Sequence, residues 1–188
     1  YVLLELSSFQ LESTFDFKPQ VSVLLNIFPN HGERYSNNLD YAKAKFNITK
    51  KMDADGCLIF DSGNQQIKTW GEDFVGKKTP IDTSKPEEIV QHLRSMVSLD
   101  NYKLPGIHNK INLDFCLEVL NALDLLEGNS DAIQKAIDSF PGVPHRIEYV
   151  QCSEKFEVYN DAKSTNWDAT ITAIESMAEL ERDLVLIL

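Results

Sequence analysis

Hydrophobic and polar positions along the 188 residues repeat in two different periods, and the switches between them outline the fold. Short apolar runs at 1–5, 21–27 and 56–61 predict strands buried on both faces of a parallel sheet. A loop over 28–38 leads into a predicted helix at 39–52, and 62–85 reads as polar turns. Pro86 at a first helical position, with Glu87 and Glu88 in the first turn, starts the next helix. Two more are predicted at 108–126 and 131–140, the former stopped by Glu127-Gly128-Asn129. Proline and glycine crowd 141–144, after which the pattern changes to strands at 145–152 and 156–160, a helix carrying Ala169, Ala173, Ile174 and Met177, and an apolar run at 183–188. The alternation predicts an α/β fold, with one domain over 1–141 and the start of a second over 142–188. Both ends read as buried strands and the chain has no initiator Met, so a piece of a longer protein is expected.

Composition narrows the function classes. A net charge of −11, from 18 basic and 29 acidic residues without long runs, disfavours nucleic acid or an anionic membrane as main partner. No apolar run has the length of a membrane span. Cys57, Cys116 and Cys152 lie far apart in or beside apolar segments, which predicts reduced, buried thiols.

The chemistry concentrates at the ends of predicted elements. Glu5 interrupts an apolar strand and is followed by Ser7, Ser8 and Gln10, at the sheet edge where open α/β sheets bind ligands. It reads either as a Mg²⁺ ligand or as a hydrogen-bonded strand-end glutamate. The next strand ends at Asn30-His31, a histidine that is structural unless Glu5 and His31 meet at one edge. On the helix that follows, Tyr41, Lys45, Ile48 and Met52 share a face, so Lys45 sits inside an apolar stripe. A lysine there either snorkels out or is paired, neutralised or modified. Asn160-Asp161-Ala162-Lys163-Ser164-Thr165-Asn166 forms a strand-to-helix turn that, taken alone, reads first as a plain helix cap from Ser164, Thr165 or Asn166 and second as a site for a phosphate or carboxylate. Residues 71–78 nearly match a phosphate-binding loop, but Lys78 replaces the hydroxyl that Mg²⁺ needs, so a surface turn is expected.

Six segments in one order, 4–11, 26–35 with His31, 41–45, 106–109 with Asn112, His145-Arg146 and 160–166, resemble the Mur ligase family, most closely its D-glutamate-adding branch. The resemblance implies an incomplete central ATPase-type domain, a mostly parallel sheet with flanking helices, followed by the start of a Rossmann-like C-terminal domain. It implies ATP-dependent amide formation through an acyl phosphate, with UDP-N-acetylmuramoyl-L-alanine and D-glutamate as substrates and ATP and Mg²⁺ as cofactors, in a cytoplasmic bacterial monomer that builds peptidoglycan precursor. By resemblance, Glu5 holds the Mg²⁺ that bridges the ATP phosphates, His31 with Lys45 holds a second Mg²⁺ near the acyl phosphate, and Lys45 matches a lysine carbamylated in the family. Ser7 and Gln10 contact the UDP-linked substrate. Asn109, Asn112, Arg146 and Asp161 lie at the nucleotide, Lys163 reaches its phosphates, and Thr165 meets D-glutamate. Asn30 and Glu33 replace loop aspartates, and Leu113-Asp114-Phe115-Cys116 replaces an alanine-rich stretch. The family phosphate-binding loop precedes the Glu5 strand, so the chain alone is expected not to ligate. Another amino-acid ligase of the same type, or a non-catalytic nucleotide-binding relative, is the alternative reading.

Overall fold

Every residue of the strand β2 (Cys57–Asp61) is buried, which requires a neighbour on each side and a layer on each face. β1 (Val21–Leu24) and β3 (Lys77–Ile81) supply the neighbours, both parallel to β2, in the order β1-β2-β3. The computed structural model describes residues 1–27, 34–153, 155–180 and 183–187. By packing the chain divides into two units, Tyr1–Lys85 with Phe115–Leu125, and Pro86–Asp114 with Leu126–Leu188. The boundary expected at 141–144 lies inside the second of them.

In the first unit, Leu24, Leu58 and Phe60 of the sheet pack with Met52, Ile67 and Phe74 into one core. Helix α2 (Asn38–Phe46) ends earlier than its pattern predicts and continues as a 3₁₀ turn, Asn47–Thr49. The Thr49 hydroxyl donates to the Phe46 carbonyl at 2.9 Å, satisfying an end-of-helix acceptor and tightening that turn. Tyr41 and Met52 are buried and Ile48 packs on the core, so the apolar stripe holds. A second cluster of Tyr35, Tyr41 and Ala44, with Phe9 stacked on Tyr35 at 5.9 Å between ring centres, fixes α1 (Ser8–Glu12) against α2.

Two elements arise within the segment expected to be turns: α3 (Gln65–Asp73) and β3. The near-match at 71–78 is the end of α3 running into β3, a helix-to-strand connection opposite in order to a phosphate-binding loop. Among the described residues the expected strands at the two ends do not form. Residues 1–7 and 183–187 have no strand assignment, and Tyr1, Val2 and Leu3 are 85–95% exposed. Among the described residues no strand pairs with either segment, and an apolar run becomes a strand only where its N–H and C=O groups find partners.

The second unit holds α4 (Pro86–Met96), α6 (Ser130–Ser139), α7 (Trp167–Ala178) and the antiparallel hairpin of β4 (Glu148–Cys152) with β5 (Glu157–Asn160). Helix α5 (Ile107–Ala122) begins in the second unit and ends in the first. Pro86 opens α4 as predicted, and Asp124 in the left-handed conformation closes the turn after α5. Asp114, one of the departures from the family pattern, is buried and meets His92 Nδ1 at 2.9 Å. Cys57 is buried as expected, whereas Cys116 is exposed, because α5 points its neighbours Phe115 and Leu117 inward.

Candidate active site

Glu5, Ser7, Gln10 and Lys45, from two segments of the sequence, line one cavity of about 300 Å³ together with Leu6, Ser8 and Tyr41. The aromatic contacts of Phe9, Tyr35 and Tyr41 bring these segments together by holding α1 on α2. Lys45 Nζ lies 5.4 Å from the centre of the Tyr41 ring, a cation–π geometry. Burial pulls its pKa below the ordinary lysine range, and the charge of Glu5 opposes that pull without cancelling it. His31 lies outside the described residues, so of the expected Mg²⁺ ligands only Glu5 and Lys45 are in view. Among the described residues no group of three histidine, cysteine or carboxylate side chains is placed to hold a metal.

Ser7 and Gln10, the expected substrate contacts, cap α1. The Ser7 N–H donates to Gln10 Oε1 at 2.8 Å, its hydroxyl donates to the same oxygen at 3.1 Å, and the Gln10 N–H donates to Ser7 Oγ at 3.3 Å. Ser8 received no role from sequence. It is 2% exposed, and among the described residues its hydroxyl has no partner. A buried hydroxyl without a partner is destabilising, so Ser8→Ala is expected to stabilise the fold by about 1 kcal/mol, read as a higher urea midpoint. A lower midpoint would mean that the hydroxyl is bonded in the working protein.

The second unit gathers the expected nucleotide-side residues on two of its turns. Asn109 donates from Nδ2 to the Pro105 carbonyl at 2.7 Å, while Asn112 is exposed on the outer side of α5. The preceding Gly106 has φ +86° and leaves room for Ser176 of α7, whose Oγ lies 3.1 Å from His108 Nδ1. Burial lowers the His108 pKa, and the carboxylates of Glu179 and Asp161 partly counter it, which puts Asp161 within electrostatic reach of the start of α5.

At the other turn, Asp161 Oδ1 accepts the Ile147 N–H at 3.0 Å and its Oδ2 accepts the Ser164 hydroxyl. Lys163 N–H donates to the His145 carbonyl at 3.1 Å, so Arg146, Asp161 and Lys163 belong to one bonded pair of turns, with Arg146 and Lys163 exposed. Asn166 is the cap of α7, its Oδ1 accepting the Ala169 N–H at 2.9 Å; Thr165 is exposed beside it. Of the hydroxyl and amide groups that sequence offered for the cap, the structure uses Asn166 there and turns Ser164 to Asp161. This leaves Thr165 and the Lys163 amine at the surface.

Residues 1–119 match the Mur ligase middle domain family. The chain is 32% identical over 194 residues to the UDP-N-acetylmuramoylalanine--D-glutamate ligase of Porphyromonas gingivalis, covering 94% of this chain and 42% of that protein. It is 32% identical to the ligase of the same name from Alkaliphilus oremlandii, over 94% of this chain and 41% of that protein, and 33% identical to that of Lactobacillus johnsonii, over 96% and 41%. The chain thus spans about two-fifths of the length of the curated relatives it matches. With the matched region covering both segments that form the Glu5–Lys45 cavity, the chain belongs to the Mur ligase family.

Proposed function

We propose that the protein is an ATP-dependent amide ligase that joins D-glutamate to UDP-N-acetylmuramoyl-L-alanine in peptidoglycan precursor synthesis, working as a cytoplasmic monomer and so serving wall growth, cell shape and division. The observation that carries this reading is the cavity on which Glu5, Ser7, Gln10 and Lys45 meet. The names of the relatives support the choice of substrates. None of the described helices is long and apolar enough to cross a membrane.

In this reaction an oxygen of the alanine carboxylate attacks the γ-phosphorus of ATP and ADP leaves, giving an acyl phosphate. The D-glutamate amine then attacks the acyl carbon, the C–O bond to phosphate breaks, and the amine proton passes to solvent. Positioning and charge neutralisation carry most of such a transfer. Ser7 and Gln10 orient the UDP-linked substrate, and Thr165 receives D-glutamate. Asn109, Asn112, Arg146 and Asp161 hold the nucleotide, with the Lys163 ammonium at its phosphates.

Glu5 suits Mg²⁺, which takes one or two carboxylates and fills its shell with water and phosphate oxygen. When bound, Mg²⁺ neutralises charge on the transferring phosphoryl group. Lys45 as an ammonium does not suit it. As a carbamate, formed when the neutral amine adds to CO₂ and loses a proton, it would offer a carboxylate to a second Mg²⁺, for which His31, outside the described residues, is the other proposed ligand. Burial favours that neutral amine. We assign the join between the central and C-terminal domains to 141–144, where proline and glycine crowd and the pattern changes from helix to strand. The test is phosphate release by the full-length protein, expected to require ATP, UDP-N-acetylmuramoyl-L-alanine and D-glutamate together. Release that requires a different amino acid overturns the substrate.

A further inference from the structure

Arg146 is bracketed by two residues in the left-handed conformation, His145 at φ +65° and Ile147 at φ +45°. Neither is glycine, and for β-branched Ile147 this region is an outlier that the surroundings must enforce. The His145 N–H donates to Glu148 Oε2 at 2.8 Å, and its Nδ1 meets Asn160 Nδ2 at 2.8 Å. On the other side a side chain holds Ile147: its N–H donates to Asp161 Oδ1 at 3.0 Å, and Asp161 is itself fixed by the Ser164 hydroxyl. The last ladder pair of the hairpin is Glu148 with Asn160, so the Asp161 carboxylate extends the ladder one step beyond the sheet.

We propose that Asp161 is a positioning residue for Arg146, its carboxylate holding the left-handed turn through the Ile147 N–H and thereby setting where the guanidinium meets the nucleotide. This rests on the reading of Arg146 as a nucleotide contact. It adds to the nucleotide contact proposed for Asp161: with one oxygen on Ile147 and the other on Ser164, the carboxylate also acts through Arg146, and each oxygen keeps a lone pair for the nucleotide.

The test is a double-mutant cycle in the full-length protein, read as KM for ATP and kcat separately. Arg146→Ala and Asp161→Ala are each expected to raise KM for ATP about tenfold with kcat much less changed, and the double variant to raise it clearly less than the product of the two. Asp161→Asn keeps an acceptor for Ile147 and is expected to recover most of the loss. Ile147→Gly adopts the left-handed turn without strain, so it is expected to restore Asp161→Ala and to keep the cycle readable where the single variant folds poorly. Independent, multiplying effects, or failure of both rescues, overturn the positioning role alone. An Arg146→Ala variant with unchanged KM for ATP overturns the nucleotide reading of this turn, and this use of Asp161 with it.

Discussion

Lys45→Met in the full-length protein is expected to lower the ligase rate by about 10²–10³-fold, the scale of removing one preorganised electrostatic group, while leaving thermal stability equal or higher. The two halves of this expectation have one cause. Lys45 lies in the apolar stripe of α2 that carries Tyr41, Ile48 and Met52, and burial holds its pKa below the ordinary 10.5. A lysine whose folded pKa is lowered binds its proton less well in the folded than in the unfolded chain. Below the folded pKa the buried charge therefore weakens the fold, and that penalty is relieved as pH rises through the lowered value towards 10.5. Methionine fills similar space without charge, so it removes the penalty together with the chemistry. The Tyr41 face returns some stabilisation to the ammonium, which limits the gain. Parallel rate and melting measurements check this. A variant that is slow because it is unfolded, or fully active, contradicts the assignment.

Gly106→Ala is expected to destabilise the chain by about 3 kcal/mol, combining a left-handed alanine with overpacking. A Cβ at residue 106 would stand 2.2 Å from Ser176 Oγ and 2.8 Å from His108 Nδ1, at φ +86°. Gly128 supplies the control, since it has φ +78° and nothing within 4 Å of an added Cβ. Gly128→Ala should therefore show the backbone penalty alone, about 1 kcal/mol. Urea midpoints of the two variants separate the terms, and equal shifts would mean that Ser176 yields without cost. Because Asn109 and Asn112 follow on α5, the larger shift is also expected to weaken the ATP binding proposed for them.

How much of this was legible beforehand depends on whether a residue's partner is near it in sequence. Lys45 among apolar neighbours was readable from helical spacing, and Pro86 marked a helix start because its own ring geometry selects that place. The cap of α7 was readable as a cap, but the choice of Asn166 over Ser164 was not, because Asp161 decides it. Both elements missing from the reading of 62–85 are camouflaged. β3 is Lys-Lys-Thr-Pro-Ile with only Ile81 buried, and among the described residues it pairs on one side only, a place that tolerates Pro80. Gly71 looks like a helix breaker in α3, yet an added Cβ would stand 2.5 Å from the Phe60 ring, so the helix lies close to the sheet because of it. The strands expected at the ends failed for the opposite reason, since their apolar pattern is present while no described strand pairs with them. In the site, Glu5, Ser7, Gln10 and Lys45 line one cavity, a meeting of two segments that helical spacing alone does not give, and the hidden Ser8 hydroxyl and the Ile147 to Asp161 bond likewise have no sequence signature.

The capping box at the start of α1 makes recognition and helix initiation draw on the same atoms. A ligand that takes the Ser7 hydroxyl or Gln10 Oε1 must first displace a bond worth roughly 1 kcal/mol to the helix, so its net gain there is only a difference between two similar bonds. Gln10 Nε2 makes no bond among the described residues and carries no such toll. At this corner of the cavity, selectivity should therefore favour groups that accept a hydrogen bond over groups that donate one.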